Sequence, residues 1–518
     1  MRLVIVGHGP AAHRLVQGLR RHGYAGELTV LGAERHPAYH RPLLGSVLAG
    51  GLPPEALTLP AVDADVRAGR AVTAVDRPRR LVHTDDGTAY PYDTLVLATG
   101  ARPVRPAWSG PAADGTPAGV STLRTLDDCR ALLAALAPAP RAVPAPRRAL
   151  APAPRSVAVV GAGPLGVETA GLLREAGHHV TLVDPAPHPL ASRVDATAGG
   201  ILAERLERHG VRPLFGRTAI GHAPGALLLD DGERLSVDHV VLCAGVVPET
   251  DAARRAGLLV RTGIVVDERL RTSDPRIHAI GDCAEQEGVL PGTVSVAWEQ
   301  ADTLAGLLTG AHPEPPSRPA RGVLRLRTRV AELAVFGPPE EPAASDRDRD
   351  QEAEDPGTGT VTFHDRSGGR YARLVLDGEG RVRSGVLLGL PRAAAALAQL
   401  YERDLRLPTD RLSFLLGDPP VTGDRTAVPD DAVVCDCNNV SRAALRTAWQ
   451  EGARDLYAIV AATRATTGCG GCADAVRAWC AQAGAASPAR PGQAGGPARP
   501  GQAALCAPVA RNSTGGSK

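Results

Sequence analysis

Lysine is almost missing from this chain: of 58 basic residues only Lys518 is a lysine, and the rest are arginine. Aromatic residues are 3% and methionine occurs once, against 58 glycines and 45 prolines, a bias that reads as genomic base composition and not as function. Neither charge sign is in excess. With 58 basic and 56 acidic residues the net charge is +2, so there is no electrostatic case for a nucleic-acid or membrane-surface partner. Long hydrophobic runs are also missing: Val240–Val247 is typical of the longest, far short of the roughly 20 residues that span a bilayer. The first residues run straight into a strand and a glycine turn without a cleavage pattern, which points to a cytoplasmic protein. Hydrophobic residues at 43% and charged residues at 22% exclude global disorder. Nine cysteines without a secretory signal suggest a reducing compartment, where thiols serve metals or redox chemistry. A length of 518 residues predicts about three to five domains.

Three stretches have too little to bury. Residues 137–155 hold six prolines and four arginines and no acid, which reads as an exposed spacer. Residues 338–359 carry eight acids against two arginines and read as a solvated loop between strands. Residues 481–518 repeat PARPGQA, contain no acid, and are expected to be disordered.

Two other stretches share one pattern. The apolar run Leu3–Val6 leads into Gly7, Gly9, Pro10, Ala11 and Ala12, then a helical segment and a second run ending near Glu34. The pattern returns at Val157–Val160 with Gly161, Gly163 and Gly166, a helix, and a strand ending at Asp184. Each is a β-α-β unit with a G-x-G-x-x-G/A turn. A pyrophosphate must approach a helix N-terminus closely, and any side chain in the turn would block it. Glu34 and Asp184 lie where a carboxylate can accept hydrogen bonds from ribose hydroxyls. Asp184 would repel a 2′-phosphate, so NADH is expected ahead of NADPH.

Further along, a buried strand ends in Ala98-Thr99-Gly100, and a late strand ends in Gly281-Asp282. With the two glycine turns, these resemble the flavoprotein family of pyridine nucleotide–disulfide reductase type. The resemblance implies FAD at the first turn, NAD(P)H at the second, and Asp282 at the flavin's ribityl–phosphate region. It places Glu34 on ribose and Arg41 near the isoalloxazine, with Glu168, Trp298 and Glu299 as candidates near the nicotinamide or flavin ring. Trp298-Glu299-Gln300 is read as a helix start. It also implies a discontinuous FAD domain, residues 1–127 and 263–317, with an NAD(P)H domain at 156–262 inserted. One family feature is missing. Cys129, Cys243 and Cys283 are isolated, so no redox cysteine pair stands beside the flavin and disulfide reductase chemistry is excluded. No general acid or base is required for hydride transfer, and none is assigned.

Residues 318–420 read as a β-rich third domain with a helical stretch at Leu397–Gly417. Beyond it come Cys435 and Cys437, then 31 residues, then Cys469 and Cys472. Four thiolates in two tight pairs suit tetrahedral zinc or an iron–sulfur cluster, and C-x-C is tighter than zinc knuckles favour. Between the pairs Ser441 can cap a helix from Arg442, Leu456–Ala462 can form another, and Ala473–Ala481 a third. The elements around Cys435–Val440 and Thr467–Cys472 resemble the bacterioferritin-associated-ferredoxin-like [2Fe–2S] domain, expected at residues 430–480. Cys480 is read as packing.

The expected fold class is therefore α/β: two Rossmann-like domains, a small β-rich domain and a small helical [2Fe–2S] domain. A nicotinamide gives two electrons together and the cluster takes one at a time; a flavin does both, so NADH, FAD and [2Fe–2S] form a coherent path. The whole order resembles the N-terminal half of the assimilatory NAD(P)H-nitrite reductase large subunit. Only Cys480 and Cys506 follow Cys472, too few for that family's sirohaem site. The expectation is an electron-transfer subunit for a separate terminal reductase, assimilatory nitrate reductase first and nitrite reductase next. Alternatives are an amine or opine oxidase-type subunit, a reductase for an oxygenase or ferredoxin-like acceptor, and a redox-gated binding protein.

Overall fold

Arg2–Val6 is almost wholly apolar, as a strand covered on both faces must be. It lies at the centre of a parallel sheet, between Glu27–Gly32 and Thr94–Leu97, with Asp65–Ala68 and Ile277–Ala279 at the edges. The computed structural model describes residues 1–109, 117–137, 154–316, 321–338, 359–416, 430, 432–435, 440–463, 465–466 and 472–486. Most of the Pro/Arg spacer, the acidic loop, Cys437, Cys469 and Cys506 lie outside the described residues.

The helix Pro10–Arg21 crosses from the first strand to the second. Its leading proline has no N–H to leave unsatisfied and a preset φ. Ala12, Leu15, Val16 and Leu19 recur at helical spacing and bury against the sheet. The second sheet repeats this plan in the order Val211–Phe215, His179–Asp184, Ser156–Val160, His239–Leu242, Val120–Thr122. The last strand moves a boundary. Val120–Thr122, expected within the first domain, is the edge of the second sheet, because Val120 buries against that sheet's core. The chain rejoins the first sheet at Ile277–Ala279, and an antiparallel ribbon of Ala101–Pro103 and Val246–Pro248 ties the two halves.

The third unit is an antiparallel sheet ordered Val323–Arg327, Glu332–Phe336, Val382–Leu388, Arg370–Leu376, Gly359–Asp365, backed by the helix Pro391–Glu402. It sits on the second domain: Tyr371 donates to Asp195 at 2.9 Å and Arg205 to the Gly369 carbonyl at 2.7 Å. The helical stretch expected at 397–417 is two helices, Pro391–Glu402 and Arg411–Leu416. Pro408 lies between them and disfavours helix at the residue before it.

In the last unit Ser441 caps the helix Arg442–Gln450, its Oγ accepting the Ala444 N–H at 3.2 Å, and Leu456–Thr463 follows. The final helix runs Ala473–Ala486, so residues 481–486, expected to be disordered, are helical. Alanine is the best helix former, and Ala483 packs on the module's core. Among the described residues no helix is long and apolar enough to cross a membrane.

Candidate cofactor sites

A cavity of about 590 Å³ opens at the carboxyl ends of the first sheet's strands. Of the residues proposed from sequence, Gly7, Gly9, Pro10, Ala11, Glu34, Arg41, Ala98, Thr99, Gly100, Gly281, Asp282 and Glu168 line it. Ala12 does not; it is fully buried beneath the turn. The two key glycines do different jobs. Gly7 sits at φ +110 and a Cβ there would lie 2.0 Å from the Ala98 carbonyl oxygen, so it lets the turn pack on the neighbouring strand. Gly9 has nothing within 4 Å of its Cβ direction and keeps the helix N-terminus open to the cavity. Those are the requirements of a pyrophosphate seat, and the residues present fit FAD.

The second turn repeats the division. A Cβ on Gly161 would lie 2.4 Å from the Cys243 carbonyl and one on Gly166 1.7 Å from that of Gly161, while Gly163 faces open space. Asp184 stands beside this turn. Its Oδ2 accepts the Ala162 N–H at 2.5 Å and its Oδ1 the Ala186 N–H at 2.8 Å, which fixes the carboxylate beside the turn. Gly161, Gly163, Gly166 and Asp184 lie outside the large cavity, which the segment 156–262 enters through Leu165 and Glu168 and, near its end, through Glu249, Asp251, Ala252 and Arg255. Ala253 and Leu258 bury in the first sheet's core, so the inserted domain closes before residue 262.

Two carboxylates of the first cavity, Glu34 and Asp282, are paired with arginines. Arg41 is ion-paired with Glu34, whose other oxygen accepts from Tyr39 at 2.7 Å; Arg41 also donates to the Tyr39 hydroxyl. Glu34, Tyr39 and Arg41 therefore form one side-chain cluster at the cavity wall. Asp282 accepts from Arg124 at 2.6 Å, and Arg124 also reaches the Ala101 carbonyl at 3.2 Å. Reading the sequence missed Arg124: it is 158 residues from its partner, and a lone arginine carries no spacing signal. Thr99 spends its hydroxyl on the Glu249 carbonyl at 2.6 Å. His8 also lines the cavity, and burial pushes its imidazole below the ordinary range, so the ring is neutral at pH 7.

Glu168 faces the cavity opposite Gly45, where a Cβ would come 2.9 Å from Glu168 Oε1. Burial alone pushes its carboxyl up to about 7. Trp298 and Glu299 are not in the lining. The helix begins at Val294, not at Trp298, so Val294 and Ala297 face the cavity instead. Trp298 packs edge-on against His40 with ring centroids 6.1 Å apart, and burial followed by the neighbouring Asp302 raises Glu299.

Cys129, Cys243 and Cys283 are each buried and free. Burial pushes the Cys129 thiol up to about 11 and that of Cys243 up to about 12, so neither forms the thiolate a redox nucleophile needs. In the last unit Cys435, at a strand end, and Cys472, just before the helix Ala473–Ala486, fall in one buried cluster with Trp449, Ile459 and Val476. Two thiols from separate elements meeting in a small core fit half of a four-thiolate cluster site. Cys480 belongs to the same core, and burial raises its thiol, as a packing residue's should be.

Two nucleotide turns on two Rossmann-like sheets define a flavoprotein oxidoreductase. The chain belongs to the pyridine nucleotide-disulphide oxidoreductase family, which matches residues 1–301, and residues 433–481 match the BFD-like [2Fe-2S] binding domain. FAD, a nicotinamide nucleotide and a [2Fe–2S] cluster are the cofactors of these two families. The chain is 31% identical over 490 residues to a nitrite reductase [NAD(P)H] of Bacillus subtilis (strain 168), covering 91% of this chain and 56% of the relative. To the assimilatory nitrate reductase electron transfer subunit of the same organism it is 29% identical, covering 91% and 58%. The covalent putidaredoxin reductase–putidaredoxin complex superposes with a TM-score of 0.68 at 28% identity, covering 81% of this chain and 96% of that one. The chain spans about half the length of the first of the curated relatives it matches.

Proposed function

We propose that this chain oxidises NADH and delivers the electrons, by way of FAD and the [2Fe–2S] cluster, to a separate terminal reductase. Assimilatory nitrate reductase is the first acceptor and nitrite reductase the second. The observation that carries this reading is the pairing of a two-turn nucleotide unit with a cluster module in one chain. Over 91% of its length that chain aligns with a protein named as an electron transfer subunit. A bound flavin supplies the conversion of a two-electron hydride into single electrons. The chain's own residues position and neutralise. Gly7 lets the turn pack on its neighbouring strand, Gly9 admits a pyrophosphate to the helix N-terminus, and Arg124 offsets the Asp282 carboxylate. Asp184, fixed by two backbone amides, favours a 2′-hydroxyl over a 2′-phosphate and hence NADH. Glu168 offers a carboxyl that is partly protonated at neutral pH on the second domain's side of the cavity.

Anaerobic stopped-flow mixing of the full holoprotein with NADH, NADPH or an amine tests the proposal. Flavin bleaching by NADH in milliseconds to seconds, followed by electron delivery to added nitrate reductase, is the expected result. Bleaching by amines alone would replace it with an amine oxidase-type function, and no reduction by either would favour a redox-gated binding protein.

A further inference from the structure

The Gly281–Asp282 turn is held by a residue outside the cavity lining. Gly281 has φ +74, and its N–H donates to Gln300 Oε1 at 2.8 Å. Gln300 is 6% exposed and lies on the helix Val294–Thr309. That helix is fastened to the first nucleotide turn's own helix. Asp302 binds Arg14 through two contacts of 2.7 Å, and Ala305 packs so tightly under Gly18 that a Cβ there would lie 2.8 Å away. Gln300 thus ties the position of the second FAD loop to that of the first. The fit between them is close, since a Cβ on Gly281 would lie 3.3 Å from Ala11 Cβ. The residue type also matters. A buried amide needs an acceptor, and a carboxamide supplies one without adding negative charge beside Asp282.

We infer that Gln300 is a positioning residue for FAD, its side-chain carbonyl fixing the Gly281 amide and so setting where Asp282 and its partner Arg124 meet the cofactor. The inference rests on FAD occupying this cavity. A double-mutant cycle tests it, reading FAD release from the full-length holoprotein by recovery of flavin fluorescence on dilution. Gln300→Met keeps the volume and removes the acceptor, and should weaken FAD binding about 5- to 100-fold. Asp282→Asn by itself also weakens it, and because the two residues act through one loop the double variant should lie within about twofold of Asp282→Asn alone. Effects that multiply would mark Gln300 as a general packing residue and overturn the inference, as would Gln300→Met binding FAD like the parent. Parent-like binding by Asp282→Asn would overturn it differently, by removing FAD from this turn. If Gln300→Met does not accumulate as holoprotein, amide hydrogen exchange on the unmodified holoprotein decides. Protection at Gly281 is expected, and exchange at the unprotected rate there, with Ile280 still protected, overturns the role.

Discussion

Glu168→Gln should stabilise the protein at alkaline pH and leave it unchanged in acid. The Glu168 carboxyl is half-buried beside Gly45, and burial is what raises it. Burial alone takes it from 4.5 to about 7. A shift of that size corresponds to roughly 3 kcal/mol against the ionised form. The carboxyl lines an open cavity that water enters, so about 1–2 kcal/mol is a better expectation. The sign follows from linkage. The folded state holds this proton to a higher pH than the unfolded state does, so stability falls as pH rises from about 4.5 to about 7. Below that window the acid and the amide are both neutral and nearly isosteric. Above it only the acid carries a buried charge. At about 2–4 °C per kcal/mol for a domain of this size, Glu168→Gln should raise the melting temperature by about 2–8 °C at pH 8 and by almost nothing at pH 4.5. Differential scanning calorimetry of the full-length chain at both pH values measures this directly. An equal shift at the two pH values, or a loss at pH 8, would refute the claim that Glu168 is an uncompensated buried acid.

The glycine turn makes a sharper separation of folding from binding. Gly9→Ala points its methyl into empty space and should leave the melting temperature of flavin-free protein unchanged, while FAD content falls at least about tenfold because the methyl occupies the pyrophosphate's place. Retention of stoichiometric FAD would show that the phosphate lies elsewhere. For nicotinamide choice, Asp184→Ser should lower the NADH/NADPH ratio of kcat/KM by at least about tenfold, and an unchanged ratio contradicts the assignment. In the last unit, Cys435→Ser should abolish the visible iron–sulfur bands with flavin absorbance intact, and Cys480→Ser should keep both. Cluster bands surviving in Cys435→Ser, or lost in Cys480→Ser, would exchange the roles of the two residues.

The parts of this fold that follow from local chemistry were legible in the sequence. Gly7 and Gly161 are required by backbone geometry within a few residues of their strands, so the motif and the three-dimensional turn coincide. The site residues that escaped notice act through tertiary contacts that carry no spacing signal. Arg124 finds Asp282 only after the second domain has been threaded between them, and Gln300 finds Gly281 by the packing of one helix on another. Trp298 and Glu299 were misplaced for a related reason. The helix begins four residues earlier than its aromatic residue suggested, which rotates Val294 and Ala297 into the cavity. Boundaries followed the same rule: Val120–Thr122 is too short to announce its partner, and only pairing with His239–Leu242 assigns it.

That short strand makes the nicotinamide-binding half hard to transplant. A piece cut at 156–262 would leave behind the neighbour of His239–Leu242, a strand buried along its whole length, and expose a bare row of backbone donors and acceptors on an apolar ribbon. Such a fragment should assemble with copies of itself, whereas one starting before Val120 carries its own closing edge. The longer fragment, however, takes Arg124 with it and leaves the Asp282 carboxylate of the flavin half unopposed. The two nucleotide sites should accordingly transfer to another chain only as one unit, and substitutions within the second half are the expected route to a changed nicotinamide preference.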